Sequence, residues 1–434
     1  MIEITIKEMT VKKYTIPFFM LFILLAACGR SSPAVPTAPP TEAVTATFTP
    51  MPSATPTETP VPPTATPTAT PTITLTPTPS YPAEGRGPTA FPTDVSPLTG
   101  LEVTDTAVLN RRPIVIKVEN IPRAHRPQWG LSLADLVYEY YTEFGATRFA
   151  AVYYGMDAEQ VGPIRSGRFF DSNVVEMYKG VFVYGSAYPP VQSRFFNSTF
   201  AARLILETNR SCPALCRTDP NGQNLLVANT AEMAAYLTLR GVDNTPQNLD
   251  GMFFQMQPPS GGDDGEQVYV RYSGAIYNRW DYDPTTGKYL RFSDKQNDIE
   301  RTNEVYEQLT DRLTGEPVAV ENMVTICVPH SYFVRRDDAE VLDILLSPNA
   351  PSTVSCDGQT YTGGTGPAYI ARDGKLYKVT WQRQGRDSVL TLLNEDGTPF
   401  PFKPGQTWFE VIGASSQVTQ QDDGSWRFNH LIAP

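Results

Sequence analysis

Arg112-Pro113-Ile114-Val115-Ile116-Lys117-Val118-Glu119-Asn120 opens the globular part of the chain, and the fold class turns on how it is read. Its core is β-branched and apolar, interrupted by a single lysine, with a proline holding the entry extended, so it reads as a buried strand. Downstream, Leu133 to Phe144 places Leu133, Leu136, Val137 and Tyr140 on one stripe at helical spacing. Ser132 stands there as an N-cap, and Asp135 three residues on completes a variant capping box, so this segment predicts a helix. Thr147 to Tyr154 predicts a second strand, Ser172 to Tyr178 a short helix and Val181 to Tyr184 a third strand. Asn229 to Arg240 predicts an amphipathic helix closed by Gly241. Strand alternating with helix implies an α/β layer with some parallel pairing through right-handed crossovers.

Beyond residue 250 the texture changes to strands and turns. Gln267 to Tyr272, Ala275 to Tyr282, Lys288 to Phe292, Asn322 to Val328, Tyr369 to Arg372, Leu376 to Gln382, Val389 to Leu393 and Thr407 to Ile412 all read as strands. Asp373-Gly374 and Asp396-Gly397 are hairpin signals. The expected fold class is therefore α+β: an N-terminal α/β domain with a mixed sheet over 95–245, then a mainly antiparallel β-rich domain over 250–415, with 416–434 as a C-terminal tail.

Upstream of the strand lie two segments that build no core. Lys7, Lys12 and Lys13 precede an apolar run from Ile16 to Leu25, the charge order of a secretory signal, too short to span a bilayer comfortably. The run ends in Leu25-Ala26-Ala27-Cys28-Gly29, which resembles the lipobox of bacterial lipoproteins. That resemblance implies cleavage before Cys28, lipidation of its thiol, and a chain held to the membrane by an N-terminal lipid anchor on the extracytoplasmic face. Residues 1–27 are then a signal peptide. Residues 28–94 form a Pro/Thr-rich stalk, since almost half of the chain's 40 prolines fall between Ser31 and Pro97. Proline fixes φ and removes donors, so the expected state is extended or disordered. At ~3.1 Å per residue such a stalk reaches up to roughly 200 Å, a spacer scaled to a cell-wall layer.

The formal net charge of −11 argues against a nucleic-acid partner, which needs a basic surface. Four cysteines remain after Cys28: Cys212, Cys216, Cys327 and Cys356. Outside the cytoplasm an even number suggests disulfides. Three connectivities are open, of which Cys212 with Cys216 and Cys327 with Cys356 is the most economical.

Candidate ligand-binding residues gather in the loops after the first two strands, where open α/β sheets usually bind ligands. Arg123, Arg126, Arg148, Arg165 and Arg168 are placed as forks for carboxylate or phosphate groups, with Asn120, Gln128 and Ser166 beside them. Asp135, Glu139 and Glu143 recur at i, i+4 and i+8, on one face of the expected helix. The competing reading makes Asp135 a helix cap and the other charges structural pairs. No metal or cofactor site is expected. Asp281-Tyr-Asp283-Pro-Thr-Thr-Gly287 departs from a calcium loop in its glycine position and reads as a hairpin turn. Gly363-Gly364-Thr365-Gly366 lacks the ending of a phosphate loop, and no His-Glu-x-x-His or Gly-x-Ser-x-Gly occurs. His125, His330 and His430 read as structural or solvated, and Trp280, Trp381 and Trp408 as core.

Several blocks carry a family resemblance: Pro97-Leu98-Thr99-Gly100-Leu101, Arg126-Pro127-Gln128-x-Gly130-Leu131, Ala134-Asp135-Leu136-Val137-Tyr138-Glu139, Gly145-x-Thr147-Arg148 and Gly162-Pro163-Ile164-Arg165-Ser166-x-Arg168. In the C-terminal part Tyr282-Asp283-Pro284-x-Thr286-Gly287-x-Tyr289, Gly364-Thr365-Gly366 and Pro404-Gly405-Gln406-Thr407-Trp408 add to them. Together they resemble the YerB-type lipoprotein family, a domain of unknown function, over most of residues 95–415. The resemblance implies a secreted lipoprotein, in some members linked with cell-wall synthesis, with no assigned reaction. Ser211-Cys212-Pro213-Ala214-Leu215-Cys216 departs from the pattern and reads as an insertion with a local disulfide.

The expected function is a lipid-anchored extracytoplasmic binding module for a cell-envelope glycan, such as peptidoglycan, or for a wall-synthesis protein. The alternative is an enzyme acting on a wall polymer, with Glu139 or Asp135 as acid/base and Arg148, Arg165 or Arg168 holding an anionic substrate.

Overall fold

In the computed structural model of the chain, residues 81–432 are described, Asp338 excepted. The expected signal peptide, Cys28 and the expected stalk up to residue 80 lie outside the described residues. The first globular strand, β1 (Ile114–Glu119), is buried at every position. It is followed by β2 (Leu136–Tyr141), β3 (Thr147–Tyr153), α1 (Asp171–Met177), β4 (Val181–Val183), α2 (Pro189–Phe196), β5 (Leu204–Ile205) and α3 (Thr230–Leu239). Asn229 caps α3 by accepting from the Glu232 amide.

The expected helix over Leu133–Phe144 is a strand. β2 occupies its centre, antiparallel to β3 on one side and parallel to the strand Thr407–Gly413 on the other. The i, i+3, i+4, i+7 stripe is real, but Val137, Tyr138, Tyr140 and Tyr141 favour a pleated surface. Both faces of β2 are covered, which erases the alternation that would have marked a half-buried strand. With the helix go its caps: Ser132 bonds Asp311 through its amide and hydroxyl at 2.7 and 2.8 Å, and Asp135 serves the end of β3.

The fold is α+β and strongly β-rich. A central 11-stranded mixed sheet runs in the order 391–393, 375–382, 365–372, 322–328, 407–413, β2, β3, β1, β4, β5, with the short strand Asp263–Asp264 paired to 375–382 off this path. Its parallel pairs are 322–328 with 407–413, 407–413 with β2, β1 with β4, and β4 with β5. A second sheet of seven strands is antiparallel except where Trp426–Asn429 runs beside Gln267–Arg271. The strand 407–413 therefore interleaves the two portions, because it sits between 322–328 and β2.

One face of the central sheet packs on α1 and α2 through Val115, Tyr138, Val174, Phe195 and Phe409. The other packs on α3 and the second sheet through Ile116, Phe149, Met233, Trp280 and Trp408. Trp280, Trp381 and Trp408 are all core. Two stretches differ from the sequence reading. Residues 81–94, assigned to the stalk, include Arg86, which pairs with the Phe254 backbone and bonds Glu102. Residues 416–434, read as a tail, supply Gln417–Gln420 and Trp426–Asn429, the latter anchored by buried Trp426 and Phe428. Among the described residues no helix is long and apolar enough to cross a membrane.

Candidate functional site

Side chains alternate across a strand, so the central sheet sorts the sequence-predicted residues onto two faces. On β1, Lys117 and Glu119 point to the helix-covered face; opposite them Tyr140 of β2 and Arg148 of β3 share that face, Arg148 being the register partner of both Glu119 and Tyr140. Glu139 points to the other face, beside Glu410 in the parallel register of β2 with 407–413.

The second face is sealed. Glu139 accepts from Asn120 at 3.2 Å, Thr147 at 2.7 Å, Asn278 at 3.0 Å and Arg291 at 2.6 Å. Arg291 reaches Glu410 as well, at 3.0 Å, and all three charged side chains are fully buried. Burial and the neighbouring Glu139 charge push the Glu410 carboxyl up to about 8, against the opposing pull of Arg291. Asn120 and Glu139 thus belong to a clamp between the two sheets and meet no solvent.

Arg126, Gln128 and Asp135 are also structural. Arg126 forks onto Asp294 and the Asn120 carbonyl, and Gln128 donates to the Glu119 carbonyl at 3.0 Å. Asp135 accepts from the Tyr154 and Gly155 amides at 2.8 and 3.0 Å; burial lifts its carboxyl to about 6 in spite of them.

What remains converges at the carboxyl end of β1. The loop carrying Gly162-Pro163-Ile164-Arg165 lies along that strand end: the Glu119 amide donates to Pro163, and the Arg165 amide to Lys117. This hangs Arg165 over Glu119, whose buried carboxylate is gripped by the Arg165 guanidinium on one oxygen and by His125 Nδ1 on the other. The Arg165 side chain keeps 44 % exposure. Ser166 bonds Ser186 across the rim at 2.8 Å. Glu119, His125, Arg165, Ser166, Ser186 and Arg217 line an open pocket of about 380 Å³.

Behind it, Glu143 joins Arg148 at 3.0 Å and also Arg168. Burial opposes ionisation of that carboxyl, but the hydrogen bond from Arg168 and the two guanidinium charges outweigh it and hold it below the usual range. Deeper still, Lys117 is enclosed with Tyr140 and with Asp171 at 3.2 Å. Desolvation drives the Lys117 ammonium down to about 7, with Asp171 opposing. The site is an electrostatic mesh open at Arg165 and Ser166, suited to holding polar or anionic groups. Every carboxylate in it is already paired with a cation.

Family models match residues 98–241 as the N-terminal domain, and residues 268–409 as the C-terminal domain, of a protein of unknown function (DUF3048). The chain belongs to the DUF3048 family. This DUF3048 chain is 26 % identical over 331 residues to the protein named "Putative lipoprotein YerB" from Bacillus subtilis (strain 168), covering 73 % of this chain and 86 % of that one. It also matches the crystal structure of YerB from Bacillus subtilis with a TM-score of 0.58 and 24 % identity, over 74 % of this chain and 97 % of the other, a likeness of fold. The resemblance read from the loop motifs holds for both halves of the DUF3048 chain.

The sequence reading passed over Lys117, Glu119, Asp171, Arg291 and Glu410. Lys117-Val118-Glu119 carried a usable signal: two charges at i and i+2 inside an apolar strand share one face and need company there. Glu410, inside Thr407-Trp-Phe-Glu-Val-Ile412, carried the same one. The disulfides Cys212–Cys216 and Cys327–Cys356 are both formed.

Proposed function

We propose that this chain is a lipid-anchored binding module on the extracytoplasmic face of the membrane, taking a cell-envelope glycan at the Arg165 pocket, without catalysis. The observation that carries the reading is the Glu119–Arg165–His125 contact at the wall of an open pocket. It holds a half-exposed guanidinium in a fixed place, surrounded by serine hydroxyls that suit a hydroxyl-rich, anionic ligand. The lipobox at Cys28 and the kinship with YerB support the anchor. Pairing of each carboxylate with a cation supports binding over turnover, since a general base needs a free lone pair in reach of substrate.

The test is calorimetric titration of the intact purified protein with muropeptides, repeated with Arg165→Ala. Saturable heat that the variant loses by tenfold or more in affinity, while circular dichroism shows it folded at the titration temperature, is the expected result. Equal binding by both proteins would exclude this pocket, and no heat from any fragment would move the reading to a wall-synthesis protein as the partner.

One contact favours a second reading, an enzyme acting on a wall polymer: His125 oriented by the Glu119 carboxylate has the form of an imidazole base held by an acid. Glu139 and Asp135 are unavailable for that role, being sealed and committed. Release of reducing ends from peptidoglycan, lost on His125→Ala, would establish it.

A further inference from the structure

A cavity of about 710 Å³ lies away from the Arg165 pocket, where α1 and the end of α2 meet the strand Ala339–Ile344 and the loop 383–386. Its charged lining is Arg194, Arg383 and Arg386 against Glu176 and Asp343, which leaves one positive charge in surplus. The three guanidinium groups are held in place. Arg194 lies over the Phe169 ring at 3.8 Å and pairs with Asp343 at 2.8 Å. Arg386 pairs with Glu176 at 2.6 Å, and buried Arg383 donates to Asn173 at 2.8 Å. Even so, the Arg194 and Arg386 side chains keep 40 % and 65 % exposure, so each retains donors for a ligand.

Between these charges the wall mixes the hydrogen-bonding groups of Asn197, Ser198 and Asn349 with an apolar strip of Phe169, Ile344, Leu345 and Pro348 in nearly equal measure. A wall that is part apolar and part hydrogen-bonding matches a sugar ring, which has an apolar face and a rim of hydroxyls. The volume suits one or two such rings.

We propose that this cavity is a second carbohydrate subsite, specific for a sugar unit bearing a carboxylate, which the Arg194 and Arg386 forks would receive. The segment from Arg165 to Ser172 joins it to the Arg165 pocket, so the two concavities are at most roughly 25 Å apart even with that segment fully extended. A glycan chain can occupy both, but the subsite does not depend on the first pocket.

The experiment is calorimetry of the intact protein with two probes: the disaccharide N-acetylglucosaminyl-N-acetylmuramic acid, which carries one carboxylate, and neutral N,N′-diacetylchitobiose. The acidic disaccharide is expected to bind saturably, at least tenfold tighter than the neutral one. Arg194→Gln and Arg386→Gln should each weaken one saturable component of that binding tenfold or more, and this component should persist in Arg165→Ala, which removes only the component of the first pocket. If either glutamine variant melts lower than the parent, Asn197→Ala, an exposed change, takes its place. The proposal is overturned by absent binding, by equal affinity for the two probes, by indifference to the cavity variants, or by loss in Arg165→Ala alone. That last outcome would assign the sugar to the other pocket, while loss in the cavity variants alone would sustain the subsite even if the Arg165 pocket proved empty.

Discussion

Glu139 and Glu410 lie side by side on parallel strands under a single guanidinium, and the cost of that arrangement depends on Arg291. Removing it leaves two buried carboxyls with no cation, which for interior pairs costs about 3–5 kcal/mol. Arg291→Leu is expected to lose that much in denaturant unfolding; a change below about 1 kcal/mol would mean that Asn278, Tyr272 and Trp280 suffice. The same cluster sets a pH dependence. The folded Glu410 carboxyl is raised from its unfolded value of 4.5 to about 8, so its contribution is fully present below pH 4.5 and is lost as pH rises through 8. Lys117, lowered from 10.5 to about 7, acts in the opposite sense, contributing fully above its unfolded value and losing that as pH falls through 7. The difference between parent and Glu410→Gln isolates the first effect. Unfolding midpoints at pH 5, 7 and 9 should fall more steeply in the parent, and parallel slopes would refute the assignment. Little of this was legible beforehand. The sequence displays which residues are charged, but the face each one takes depends on whether its segment is helix or strand.

At the scale of elements, the strands whose sequences are β-branched and bounded by turns were readable, β1, β3, 322–328 and 407–413 among them. The short helices α1 and α3 were readable too. β2 was not, since a strand covered on both faces loses its period of two and can satisfy a helical stripe by accident. The hairpins 330–336 with 339–344, and 417–420 with 426–429, escaped because their residues are too mixed to stand out from loop. The two disulfides tie such elements unequally. Cys327–Cys356 closes a 29-residue separation and fastens the sheet strand 322–328 to the segment beyond the first hairpin, whereas Cys212–Cys216 spans only four residues. Loop-closure entropy then assigns about 3–4 kcal/mol to the first and about 2 kcal/mol to the second. Replacing each pair by alanine should reproduce that order in chemical denaturation, and a larger loss from the Cys212–Cys216 pair would show that native contacts, not chain entropy, dominate.

For the whole molecule the decisive fact is the path of 407–413. A chain read as one α/β unit followed by one β-rich unit places its late strand in the middle of the central sheet, with 322–328 on one side and β2 on the other. No local pattern announces this, because strand order is a property of long-range pairing. It has a consequence for folding. Residues 95–245 alone would expose the free edge of β2 and the faces of Val137 and Tyr138 that Trp408 and Phe409 cover, and would leave Glu139 without Arg291. An unpaired hydrophobic central edge is an aggregation template rather than a stable surface. Expressed alone, 95–245 should therefore show poor amide dispersion by NMR and no cooperative melt, whereas residues 81–434 should unfold in one calorimetric transition whose van't Hoff and calorimetric enthalpies agree. A well-dispersed spectrum from 95–245, or two resolved transitions in the longer chain, would mean that each portion carries its own core and that 407–413 docks onto a sheet already formed.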